Sequence, residues 1–173
     1  MTNLLTYSQQ QLIKPFSQNN SEKYKQIADE VENFELKKLL GIKFLQAIQA
    51  TPSDYSKVLD SYTFQDTNED SLTHKGLRYV IAYFNFSKYL GMSDIADTFS
   101  GFVTKSRNES EPLSEGRIKR LQEENRQIAL TEWEVIKYYL DLNYEDYPLW
   151  DSIYSKKVFR PKIIGLKKTE YGS

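Results

Sequence analysis

The chain has no cysteine and only one histidine among its 173 residues. Without cysteine there can be no disulfide, no thiolate nucleophile and no cysteine-ligated zinc. The usual general base of enzymes is therefore present once, as His74. It stands between Thr73 and Lys75 at an expected helix entrance, where a surface or capping role is expected. Glycine is also scarce, with seven residues, and no two lie close enough to form a phosphate-binding loop. No apolar run approaches the ~20 residues that span a bilayer. The longest apolar patch lies within Leu77 to Leu90 and is interrupted by Arg78, Asn85 and Lys88. The first ten residues lack the charged start and long apolar core of a secretory signal. A net charge of -1 gives no whole-molecule pull on nucleic acid.

What is present fits one domain of mainly helical build. Hydrophobic residues make up 39% and charged residues 27%, too apolar for a disordered chain and too charged for a membrane protein. A cysteine-free chain suits a reducing compartment. Aromatic residues reach 14%. They can build an aromatic core, or some can face partner subunits, since tyrosine and tryptophan join apolar area to a polar handle.

Helical spacing begins at Ser21, an expected N-cap, and carries Tyr24, Ile27, Ala28 and Val31. A second pattern covers about Glu35 to Ala50, with Gly41 as a break or kink. Pro52 stops it and starts a short helix. Tyr62-Thr63-Phe64 and Leu72-Thr73-His74 are β-prone and flank a polar stretch, so a small hairpin is expected. Lys75 to Gly91 reads as a central helix, apolar on most sides and hence buried. Asp97 to Leu113 reads as loop, with a short strand at Phe102-Val103-Thr104. A long helix is expected from about Ser114 to Asn143. Its stripe is Ile118, Leu121, Ile128, Val135, Tyr139 and Leu142, with Asn125 and Glu132 as polar steps. Those two steps argue against a coiled coil.

The domain closes at Tyr144 to Trp150, giving a helical domain over 1–155 and an extended C-terminal arm over 156–173. The arm carries six basic residues, Lys156, Lys157, Arg160, Lys162, Lys167 and Lys168, against Glu170, a net +5. Val158, Phe159, Ile163 and Ile164 interleave with those charges. Three readings stand: a frayed terminus, an arm docking on a neighbour, or a nucleic-acid arm.

Chemistry-bearing patterns are weak. Asp66 to Ser71 begins like a calcium loop, but Ser71 replaces the turn glycine and Leu77 replaces the closing glutamate. Asp141 to Asp146 fails in the same way, with Ser152 at the closing position. Both read as solvated loops. No catalytic residue, cofactor or metal is expected.

Gly76-Leu77-Arg78-Tyr79-Val80-Ile81-Ala82-Tyr83-Phe84, with Lys88-Tyr89-Leu90, opens a run that resembles a known family. Gly101-Phe102-Val103, Lys105, Ser110-Glu111-Pro112, Tyr139-Leu140, Asn143 and Tyr147-Pro148-Leu149-Trp150 continue it, and Leu39-Leu40-Gly41 precedes it. The family is that of head–tail connector and head-completion proteins of tailed bacteriophages, of the type found in Bacteroides phages and prophages. Asp94, Asp97 and Phe99 make the loop after the central helix more acidic and bulkier than the family's pattern.

The resemblance implies a helical core, a hairpin or long loop, and an extended arm. It also implies a homo-oligomeric ring, dodecameric by analogy, bound to the portal protein and to tail or neck proteins. DNA would pass through the channel without specific recognition. Subunits of this kind can stay monomeric until they meet the portal. The location implied is the head–tail junction of the virion, and the host cytoplasm during assembly. The expected contact residues are Phe99, Phe102, Lys105, Arg107, Lys156, Lys157, Phe159, Arg160 and Ile163. The alternative is a regulatory or adaptor module that binds a partner protein or nucleic acid through the basic arm.

Overall fold

A computed structural model describes residues 3–16, 21–92, 95–98, 101–104 and 114–150. The chain starts on Leu4 and Leu5, both buried, and enters helix α1 (Tyr7–Ile13). A reciprocal capping box opens α1: the Thr6 hydroxyl accepts from the Gln9 amide, and the Gln9 side chain accepts from the Thr6 amide. Two otherwise orphaned helix donors are satisfied in this way. The sequence reading missed α1, although Thr6-x-x-Gln9 is its signature.

Helix α2 (Ser21–Glu30) runs without a break through a π-helical segment (Val31–Leu36) into α3 (Lys37–Leu40). The widened turns point Glu32 inward and leave Phe34 in solvent. Gly41 ends this rod with φ +75°, a conformation that glycine adopts without steric cost. The expected break at Gly41 is therefore real, and α4 (Ile42–Ala50) follows it. Pro52 starts a short 3-10 turn (Pro52–Tyr55) that leads into α5 (Ser56–Leu59).

The expected hairpin forms from β1 (Tyr62–Gln65) and β2 (Ser71–His74), antiparallel, with Tyr62 opposite His74 and Phe64 opposite Leu72. The Asp66 carboxylate accepts from the Asn68 and Asp70 amides and so shapes the turn. Gly76, at φ +89°, then turns the chain into α6 (Leu77–Met92). A Cβ at this glycine would lie 2.5 Å from the Asp60 carbonyl carbon and the Leu59 oxygen, so no side chain fits. Beyond α6, β3 (Ile95–Thr98) pairs antiparallel with β4 (Gly101–Thr104). The strand at 102–104 was expected. The one at 95–98 replaces the turn and loop expected there, because four ladder residues leave almost no periodicity to read.

Helix α7 (Glu115–Leu142) is 28 residues long, about 42 Å, and its bounds agree with the spacing argument. It packs chiefly on α6. The buried face, however, differs from the expected stripe. It is Asn125, Ala129, Trp133, Ile136, Tyr139 and Leu140, while Ile128 faces solvent. Ala129 and Trp133 set the true face, since alanine allows close approach and the indole fills the space beside it. On α6, Leu77, Val80, Ile81 and Phe84 are buried as expected, but Tyr83 and Leu90 are only half-buried.

The main core joins Leu4 and Leu5, Val31 and Leu36 of the π segment, the helices α3 to α7 and the first hairpin. Phe44 contacts Tyr55, Tyr147 and Trp150, and Trp133 meets Trp150 edge-on. A second cluster joins Phe16, Tyr24, Ile27, Ala28 and Tyr89, with Phe16 stacked on Tyr89 at 4.3 Å. Among the described residues, most of the aromatic side chains thus build or pack on the core, and a minority stay outside. The chain is mainly α with a small hairpin, as expected; the expected C-terminal arm lies outside the described residues. No described helix is long and apolar enough to cross a membrane.

Candidate interaction surface

Three features of the described surface hold polar or exposed groups that could act. The first is an open cleft of about 450 Å³ where the π segment, α6 and α7 meet. Glu35 and Arg126 form a two-pronged ion pair across it, at 2.7 and 3.0 Å. The guanidinium also lies over the Phe84 ring, 5.4 Å from its centre. These hydrogen bonds hold the Glu35 carboxyl below the usual range and the Arg126 guanidinium above its own. Ser87 donates to the Gln122 carbonyl at 2.8 Å, and Lys88 pairs with Glu30 at 3.2 Å. The Glu35–Arg126 pair and the Ser87–Gln122 bond cross the cleft and clamp α7 onto the π segment and α6, while Lys88, Lys119 and Glu123 bond to Glu30, Glu115 and Gln127 outside its lining.

The second feature is His74. It is fully buried, in contact with the rings of Tyr62, Phe64 and Tyr139, and neither ring nitrogen has a hydrogen-bond partner. Burial lowers its pKa to about 4. The expected surface or capping role is thus overturned. A polar residue at a strand end was read as exposed, whereas the strand's alternation and the aromatic neighbours turn it inward. An open depression of about 470 Å³ lies beside this cage, lined by Lys57, Tyr62, Phe64, Tyr139 and Asn143 among others. Among the described residues, no three histidine or carboxylate side chains gather as metal ligands.

The third feature is a set of exposed large apolar side chains. Phe34 is 70% exposed, Ile42 59%, Tyr144 55% and Leu149 46%. Phe34 and Ile42 flank α3, and Tyr144 and Leu149 follow α7.

A model for a family of unknown function (DUF6712) matches residues 36–160. The chain belongs to that family. The DUF6712 match begins at the last residue of the π segment and takes in Ile42, the α6–α7 pair, Tyr144 and Leu149. No curated protein and no solved structure matches the chain.

Of the contact residues expected from sequence, Phe102 lies in β4 opposite Asp97. Phe99, Lys105, Arg107, Lys156, Lys157, Phe159, Arg160 and Ile163 lie outside the described residues. Sequence reading missed Phe34 and Ile42, because they fall within apolar helical patterns and only the π segment and the Gly41 break turn them outward.

Proposed function

We propose that the chain is a structural subunit of a tailed-phage virion, forming a ring at the portal that connects head to tail. The observation that carries this reading is the resemblance of Gly76 to Trp150 to phage connectors, which spans α6, β4 and α7. The exposed Phe34, Ile42, Tyr144 and Leu149 also support it, because a subunit that must grip neighbours keeps apolar side chains in reserve. In this role the protein performs no bond chemistry and needs no cofactor. Its partners are the portal, the tail or neck proteins and further copies of itself.

Electron microscopy of the full chain mixed with a tailed-phage portal protein tests the proposal. A ring of density on the portal's outer end is the expected result. A chain that joins neither portal nor virion would sink it. The adaptor reading is favoured by one observation, the net +5 of residues 156–173. Salt-dependent DNA binding that disappears with the arm would select it over the connector.

A further inference from the structure

Two exposed surfaces on this chain complement each other in charge and in apolar content. The first follows the outer side of the π segment, α3 and the start of α4. Phe34, Lys38, Ile42 and Lys43 are all exposed there. Residues 34–43 hold three lysines and one acidic residue, Glu35, which pairs with Arg126. The second surface lies just past α7, where Tyr144, Glu145, Asp146 and Leu149 are exposed. Residues 141–150 hold three carboxylates, Asp141, Glu145 and Asp146, and no basic residue. The first surface is thus +2 and the second -3, and each carries two large exposed apolar side chains.

The faces belong to elements already joined inside the molecule. Phe44 of α4 packs on Tyr147 and Trp150, with ring centres 6.2 and 5.7 Å apart. That shared core anchors the start of α4 and the segment after α7 to one another, which reduces the ordering needed when a partner arrives. Covering Phe34, Ile42, Tyr144 and Leu149 removes apolar surface from water. The opposed charges fix the register and speed the encounter.

We propose that a second copy of this chain docks its lysine-bearing Phe34/Ile42 face onto the carboxylate-bearing Tyr144/Leu149 face. Every copy carries both faces, so the contact either repeats from copy to copy or closes reciprocally as a two-fold pair. Only the closing of that repeat into a ring rests on the connector reading.

Sedimentation velocity of the full chain over a range of concentrations tests the contact. Self-association is expected, with a dissociation constant that weakens at least about tenfold between low and high salt. Lys38→Glu/Lys43→Glu and Glu145→Lys/Asp146→Lys are each expected to weaken it by a similar factor. An equimolar mixture of the two variants is expected to associate again, because each reversed face then meets an opposite charge. Unchanged melting of both variants shows that they are folded. A wild-type chain that stays monomeric at the highest concentration overturns the proposal, and so does a mixture that fails to associate. Loss of association in Lys156→Glu/Lys157→Glu, with none in Lys38→Glu/Lys43→Glu, also overturns it, since the arm would then be the occupant. Portal binding is measured separately. Its loss with self-association intact counts against the connector reading alone, and the reverse result counts against this contact alone.

Discussion

A histidine with two unpartnered nitrogens inside an aromatic cage is a costly residue, and its cost depends on pH. His74 folds neutral because desolvation opposes its charged form, giving a pKa of about 4. Released into water it returns to about 6.5. The unfolded chain therefore binds the extra proton first as pH falls. Stability linked to His74 is complete above about pH 6.5 and drains away between there and pH 4. His74→Leu keeps an apolar body in the cage and removes the proton site. Between pH 7.5 and 4.5 the wild type should lose about 2 kcal/mol more than this variant in urea unfolding. Carboxylates such as Glu32, whose pKa is raised by burial, contribute equally to both proteins and cancel in the difference. Parallel pH profiles would show that water reaches the ring. The same residue marks a limit of sequence reading. Polarity alone put it on the surface, and only the register that sets Tyr62 opposite His74, together with Tyr139 from α7, reveals the cage.

At the scale of elements, the clamp between the π segment and α7 can be measured directly. Arg126 donates twice to Glu35 and lies over Phe84. Lysine keeps the charge but loses the fork and the flat stacking. The pair is partly exposed, so its worth is modest despite good geometry. Arg126→Lys is expected to cost about 1 kcal/mol, with a similar coupling to Glu35→Gln in a double-mutant cycle. Denaturant unfolding of the four proteins reads it. A coupling near zero would mean that the π segment is held by Leu36 and Val31 alone. The elements also differ in how well the chain announces them. A long period of three and four, running from about Ser114 to Asn143, marked the ends of α7. Its face was misjudged, because counting large apolar residues favoured Ile128 and Val135 over Ala129, whose small size is what admits the neighbouring helix. The π segment has no period of its own, so Phe34 could not be separated from the core positions around it.

At the scale of the whole molecule, the family-matched stretch and the folding unit have different limits. The match begins at residue 36, yet the core begins at Leu4 and Leu5. Polar tethers bind this leading part to α6 and α4, among them Lys23 to the Met92 carbonyl and Glu30 to Lys88. Gln10, fully buried, donates to the Ala82 carbonyl and accepts from Asn85. The Leu4 carbonyl accepts from Arg78, and buried Glu32 accepts from the Leu4 amide and from Gln49. Cutting the chain to 36–160 removes Leu5, Ile27 and Val31, each fully buried, and leaves Asn85 without its partner. Each lost side chain of that size is worth about 2 kcal/mol or more, and the orphaned amide adds to the deficit. A domain stable by only about 5–15 kcal/mol cannot absorb such losses. The 36–160 fragment should therefore show no cooperative thermal transition by circular dichroism, while 1–160 melts as the full chain does. A cooperative melt from the shorter fragment would mean that residues before 36 decorate a core able to stand without them. Failure of 1–160 to fold would extend the core into residues 161–173, against the arm reading of that segment.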